Sequence, residues 1–339
     1  MPRKTKRTKI TSYAKNAMIN KKNMELKEDF LLYLKSIQRS PGTIKGYDSD
    51  LNIVFTYILD NLDNKEFKKL SKRDLIRLQN WMVGEELSSA RIRRIKAAIS
   101  SLSNYCENIL SDDDPEFEGY RSIVRKIESP PLRPVREKTV WEESELQDLL
   151  DQLTDREEYE KACYVALAMY GGRRKSELAR FKVSDFGEDK LVCQGALYKS
   201  DPILTKGGKM LNCYTLAKKF KPYFDNWMED RADRGIESEW LFPSHTNPAN
   251  QISIGILDSW ADQFSEMTGR DFYPHSLRHF YVTSLSRAGI PATVITRVIG
   301  WSSEAMCGVY TDIDDEEMFD RYFGADGIKS VESKSLSEL

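Results

Sequence analysis

The stretch that decides the reading runs from Tyr273 to Thr311, YPHSLRHFYVTSLSRAGIPATVITRVIGWSSEAMCGVYT. It holds His275 and His279, two of only three histidines in the chain, with Arg278 between them. Gly300-Trp301 follows, and Tyr310 comes nine residues after the tryptophan. Pro274 stands where a helix begins and Gly289 where it ends; Pro291 opens the next helix, which closes at Gly300. His275 and Arg278 are three apart and share one face of a helix start. A histidine, an arginine, an indole N–H and a phenol gathered this way can hold a phosphate and attack it.

The polar groups that complete such a site fall at element ends upstream. The helical run YEKACYVALAMY stops at Gly171-Gly172, and Arg173, Arg174, Lys175, Ser176 and Glu177 follow at once. Short strands are predicted around Leu191–Cys193, Ala196–Tyr198 and Met210–Tyr214. The last two are separated by a loop ending in the turn Thr205-Lys206-Gly207-Gly208-Lys209. Helices are expected over Leu216–Arg231 and Ile254–Thr268. Two arginines can contact non-bridging phosphate oxygens and offset the charge of a pentavalent transition state. A lysine can protonate a leaving oxygen.

The N-terminal half reads as a separate helical unit. Residues 1–110 carry 22 Lys+Arg against 12 Asp+Glu, whereas the rest carries 29 against 41, a segregation hidden by a net charge of −2. That asymmetry points to a polyanion partner. Residues 1–23 form a basic flexible arm, and 24–110 contain four amphipathic helices, the third opened by Ser71-Lys72-Arg73-Asp74 as a capping pair. The fourth helix crowds Arg91, Arg93, Arg94 and Lys96 into its first turns, where backbone amides add to the positive field. Residues 111–138 are acidic, then proline-rich, and read as a linker. A second domain then spans 139–325, with a tail at 326–339. The 339-residue length suits two domains, and 40% apolar content suits a globular protein. Five scattered cysteines without a CxxC pair fit reduced thiols in a cytoplasmic protein, not a disulfide framework or zinc site. No apolar run approaches the roughly 18 residues of a membrane span.

The combined motifs resemble the tyrosine recombinases, the lambda-integrase family of site-specific DNA recombinases. GRRKSELARF is similar to that family's first-arginine motif, HSLRH to its His-x-x-Arg box, and IGW with Tyr310 to its second-histidine box and nucleophile. SPGTIKGYDSDL resembles part of its core-binding domain. The resemblance covers roughly residues 24–325. It implies a mainly α fold with a small antiparallel β-sheet. A helical, SAM-like core-binding domain would accompany a mixed α/β catalytic domain of the DNA breaking-rejoining type, the two closing as a clamp on duplex DNA.

The resemblance also implies a chemistry without cofactor, metal or ATP. Tyr310 would attack the scissile phosphate, Arg174 and Arg278 would hold its oxygens, and Lys206 would act as general acid, with Lys209 as its rival. His275 would assist the tyrosine or bond the phosphate, and Glu177 would orient the site. Spacing to Ser176-Glu177-Leu178 selects Arg174 over Arg173, leaving Arg173 to touch DNA backbone phosphate alongside Arg91, Arg93, Arg94 and Lys96. Trp301 departs from the usual second histidine: an indole N–H donates one hydrogen bond but cannot shuttle a proton. His279 reads as helix packing and His245 as an exposed loop residue. The implied partner is double-stranded DNA carrying recombination sites. A monomer in solution would form a homotetramer on paired sites, with an accessory DNA-bending protein in some systems. Residues TDIDDEEMFDRYF after Tyr310 fit equally a solvated helix or one docking on a neighbouring protomer. A type IB topoisomerase and a non-catalytic DNA-binding regulator on the same scaffold are the competing readings.

Overall fold

The computed structural model describes residues 10–133, 139–205, 208–310, 323–324 and 327–328. They fall into two compact units, one holding residues 10–133 and the other everything from residue 139 onward.

In the first unit, short side-chain caps start each long helix. Helix α1 (Tyr13–Met18) begins at Ser12 and α2 (Lys21–Ser36) at Asn20. Helix α3 (Pro41–Asn61) places Pro41 at its first position after the N-cap Ser40. That position suits proline because its missing N–H has no intrahelical partner there. Helix α4 (Lys72–Gly84) opens with the reciprocal Ser71–Asp74 capping box, and α5 (Ser89–Tyr105) with Ser88. A π-turn (Cys106–Leu110) and the single turn α6 (Ser111–Asp113) extend α5. The apolar stripes converge on one core that includes Phe30, Leu51, Phe55, Phe67, Leu78, Ile95 and Leu102.

Two expectations change here. Part of the N-terminal segment is helical and anchored: Lys15 pairs with Asp60, and Lys22 reaches Glu116 at 2.7 Å. The stretch after residue 110 is not wholly a free linker either. Phe117 and Val124 are buried in the helical core, so the acidic stretch folds back, and proline content alone did not report that.

The second unit is built around α8 (Tyr159–Gly171), which is buried from Ala162 to Gly171. A helix apolar on every side needs neighbours on every side, and α7 (Glu143–Asp155), α10 (Ala217–Asp233) and α12 (Pro274–Arg287) pack on it. Helix α9 (Lys175–Leu178) follows α8 directly, and α11 (Ile254–Thr268), α13 (Ala292–Ile299) and α14 (Ala305–Tyr310) complete the helical set. The strands β1 (Leu191–Val192), β2 (Leu197–Lys199) and β5 (Tyr214–Leu216) form an antiparallel sheet in the order β1-β2-β5, with Tyr198 opposite Thr215. Between β2 and β5 a separate hairpin, β3 (Ile203–Leu204) and β4 (Met210–Leu211), pairs Leu204 with Met210. The predicted strand Met210–Tyr214 is thus divided between two sheets. Near the C-terminus β6 (Phe323–Gly324) pairs with β7 (Gly327–Ile328). Residues 311–322, where a helix either solvated or docking on a neighbouring protomer was expected, lie outside the described residues.

No described helix is long and apolar enough to cross a membrane. Among the described residues no cluster of His, Cys, Asp and Glu could hold a metal ion, and the five cysteines are free thiols.

Candidate active site

The site grows from the end of α8. Gly172 closes that helix at φ +60°, and a Cβ there would lie 2.3 Å from the Tyr281 ring, so only glycine lets α12 approach. The chain then turns, and Arg174 becomes the N-cap of α9. Glu177, 1% exposed, faces back across this turn. Its Oε2 accepts the Arg174 backbone N–H at 3.1 Å and its Oε1 accepts from Arg174 Nη1 at 3.0 Å.

Helix α12 supplies the second arginine. Pro274 sits in its first turn. The Ser276 hydroxyl donates to the Tyr273 carbonyl at 2.6 Å and accepts from Trp141 Nε1 at 2.8 Å, which fixes the helix start. Arg278, fully buried, donates through Nη1 to the Gly172 carbonyl at 3.1 Å and lies 3.9 Å from Glu177 Oε2. One carboxylate therefore sits between two guanidiniums. Two guanidiniums converging on one carboxylate offer donors that suit the oxygens of a phosphate.

The third contribution comes from the end of α13. Gly300 closes it at φ +76°, where Leu211 of β4 takes the room of a Cβ at 2.7 Å. Trp301 follows, its backbone N–H donating to the Thr296 carbonyl at 2.9 Å. Its ring lies 5.2 Å from the Arg278 guanidinium, a cation–π contact that fixes the indole against that arginine. Helix α14 is held to α13 through buried Cys307, whose Sγ lies 3.5 Å from both Thr296 Oγ1 and the Ala292 carbonyl.

His275 stands at the start of α12 with one face open to solvent. Partial burial first, then His279, Arg278 and Arg174, push its pKa down to about 4, with Glu177 pulling the other way. The imidazole is neutral near pH 7 in this site. His279 lies one turn on, its ring 5.7 Å away and nearly perpendicular.

Of the residues singled out from sequence, Arg174, Glu177, His275, Arg278 and Trp301 thus come together. Lys206 lies outside the described residues; the rival Lys209 is exposed, with its carbonyl accepting from Thr205 N–H at 2.8 Å. Tyr310 ends α14, and its side chain lies outside the described residues.

Arg173 needs correction. It is 1% exposed and gives its guanidinium to the Val298 and Ile299 carbonyls, so it cannot lie along a DNA backbone as expected. The α5 cations are also engaged, though within their own unit and at its surface. Arg91 and Arg94 both pair with Asp50, Arg93 bonds the Pro130 carbonyl, and Lys96 the Ile127 carbonyl. His245 is 46% exposed, as an exposed loop residue should be, yet bonds Glu160 Oε2 at 2.9 Å.

Three contributors had no clear signal in the sequence. The Gly172 carbonyl holds Arg278; its only hint is a Gly-Gly pair at a helix end. Arg180 donates to the Leu204 carbonyl at 2.8 Å and ties the β3–β4 hairpin to the segment after α9. Leu211 seats the same hairpin against Gly300.

Residues 139–317 match the model of the phage integrase family. A similar curated protein is the SPbeta prophage-derived recombinase-like protein YomM of Bacillus subtilis, 32% identical over 253 residues, covering 72% of this chain and 73% of that one. Among solved structures, XerH site-specific recombinase bound to palindromic difH substrate is similar with a TM-score of 0.64 at 16% identity, covering 92% of this chain and 89% of that one. A lambda integrase dimer bound to a COC' core site gives 0.63 at 14%, covering 96% and 85%. At these identities the two structures speak for the fold.

Proposed function

The chain belongs to the phage integrase family, the tyrosine recombinases, and on that premise we propose that it cuts and rejoins duplex DNA at specific sites through a covalent phosphotyrosyl intermediate. The observation that carries this is the Glu177 carboxylate held between Arg174 and Arg278 with Trp301 stacked on the second arginine. Those groups suit one phosphodiester. The guanidiniums offset charge that grows on the non-bridging oxygens, and the indole N–H donates a further hydrogen bond.

In this reading the Tyr310 oxygen attacks the scissile phosphorus, a 3′-phosphotyrosyl bond forms and the bond to the 5′-oxygen breaks. Lys206 delivers a proton to that leaving oxygen. The phenol proton passes to His275 or to solvent; the neutral imidazole has an acceptor nitrogen for it, and an incoming phosphate anion raises its basicity. The new ester retains the energy of the phosphodiester, so a 5′-hydroxyl from a second duplex can reverse the step without ATP. Arginines fill the electrostatic role that a metal ion has in other phosphoryl transfers.

Two such exchanges through a Holliday junction, carried by four protomers on paired sites, would recombine the duplexes. The relation to a prophage-derived recombinase-like protein supports integration or excision of a mobile element, acting on DNA in the cytoplasm. The basic first unit, with Arg91, Arg93, Arg94 and Lys96 on α5, supplies sequence-independent phosphate contacts, so affinity should fall steeply with salt.

The test is a nicked suicide duplex carrying the native site, recovered from DNA flanking the coding sequence. Wild-type protein should form a covalent adduct and Tyr310→Phe none, a loss of at least about a thousandfold for removal of a nucleophile. Absence of a wild-type adduct overturns the reading. Adducts that reseal without any Holliday junction on paired sites would favour a topoisomerase instead.

A further inference from the structure

Arg173 carries a full charge into the core. It is 1% exposed, and among the described residues no carboxylate lies within ion-pair distance of it and its Nε has no hydrogen-bond partner. An unpaired buried guanidinium is costly, so its surroundings must compensate. They do so through one helix end.

The last carbonyls of any helix lack intrahelical partners and carry partial negative charge. At the end of α13 the turn at Gly300 answers some of them, because Gly300 N–H donates to Thr296 and Arg297 and Trp301 N–H to Thr296. The Val298 and Ile299 carbonyls remain, and both accept from Arg173, the second at 3.2 Å. The guanidinium thus completes the cap of α13. It lies so close that a Cβ on Gly300 would sit 3.9 Å from Nη1.

Three consecutive residues then link three parts of the cluster. The Gly172 carbonyl holds Arg278, the Arg173 side chain holds the end of α13 that delivers Trp301, and Arg174 holds Glu177. Trp301 closes the circuit by stacking on Arg278.

We propose that Arg173 is a positioning residue: it locks the corner bearing Trp301, and through it α14, in register with the Arg174–Arg278 pair. This rests on the reading of that cluster as the phosphate site. Without the lock the end of α13 loses both side-chain donors, and a small shift of the corner misplaces the indole and the helix that ends at Tyr310. Misplacement near an ångström can cost about a hundredfold in rate. Because Arg173 touches no solvent, it contributes nothing to DNA affinity directly.

The experiment uses full-length Arg173→Met, which fills the space without donors, and Arg173→Lys, which keeps the charge but reaches fewer acceptors. The single-turnover rate of adduct formation at saturating suicide duplex and the Kd for that duplex are measured separately. Expected are a rate about 30-fold lower for Arg173→Met with Kd within threefold, and partial recovery in Arg173→Lys. A wild-type rate in Arg173→Met overturns the proposal, as does a weakened Kd with an unchanged saturated rate, which would mark a DNA contact. If Arg173→Met fails to reach wild-type helicity, Arg173→Lys decides: a rate equal to wild type overturns the proposal, a slower rate at unchanged Kd supports it. Failure of the wild-type protein to form adduct would instead strike the recombinase reading.

Discussion

Each unit of this protein seats a carboxylate that is 1% exposed between two arginines, and the two clasps differ in what the arginines keep. Asp50 takes a bidentate grip from Arg94, at 2.8 and 2.9 Å, and a further contact from Arg91 at 2.5 Å, while those side chains stay 55% and 26% exposed. Glu177 gives one oxygen to Arg174 at 3.0 Å, turns the other to a backbone N–H, and holds the fully buried Arg278 only at 3.9 Å. In the first clasp the carboxylate is saturated by its arginines, and water still solvates the cations. In the second, the carboxylate divides its oxygens between one guanidinium and a backbone N–H, and water is kept from Arg278. The same three charges form a surface brace in one place and the proposed phosphate site in the other, and the burial of Arg278 is what sets the second apart.

The sharpest way to break this contrast is Glu177→Gln. Neutralising the carboxylate removes the charge that Glu177 sets between the buried Arg278 and Arg174, and removing one member of a buried pair costs about 3 kcal/mol. The urea midpoint should fall accordingly, and adduct formation at saturating DNA should drop at least about a hundredfold because the arginines lose their fixed spacing. Unchanged stability would mean that Arg278 is compensated by groups other than Glu177, and the two clasps would then differ less than their geometry indicates.

Asp50→Asn should do much less. Arg91 and Arg94 can turn to water, and asparagine keeps one accepting oxygen, so the loss is about 1 kcal/mol. Two cations released at the surface keep DNA affinity within about threefold at physiological salt, and the saturated cleavage rate should equal wild type. A large fall in that rate would show the first clasp to be part of the chemistry and erase the distinction.

Much of this contrast was open to sequence reading, and the missing part has a physical cause. Glu177 was legible through the resemblance of GRRKSELARF to the first-arginine motif, and His275 and Arg278 because they share a helix face. Gly289 and Gly300 announced helix ends through the left-handed turn that each completes. Asp50 was not legible as the partner of Arg91 and Arg94, since forty-odd residues separate them and a charge count cannot see a contact between α3 and α5. Arg173 and Arg174 are chemically alike neighbours; only the turn after Gly172 sends one inward to α13 and the other to Glu177. Alternation over Met210–Tyr214 signalled extended chain but could not say that its two ends pair with different strands.

The smallest effect tests a remaining difference: only the Glu177 clasp has a histidine beside it. His275 has its pKa lowered from 6.5 to about 4 by partial burial and by His279, Arg278 and Arg174. Between those two values the unfolded chain binds a proton that the folded chain does not, so stability must decline as pH falls through that window and level off outside it. Because one face of the ring is open, solvent screens the neighbouring cations and the slope is shallow. His275→Gln should flatten it, whereas Asp50→Asn should leave it intact. A phosphodiester bound between Arg174 and Arg278 offsets their field, so DNA binding near pH 5.5 should take up a proton. Calorimetry in two buffers of different ionisation enthalpy reads that uptake directly, and it should vanish in His275→Gln. Equal uptake in the variant would place the titrating group elsewhere, and the acid response would no longer separate the two clasps.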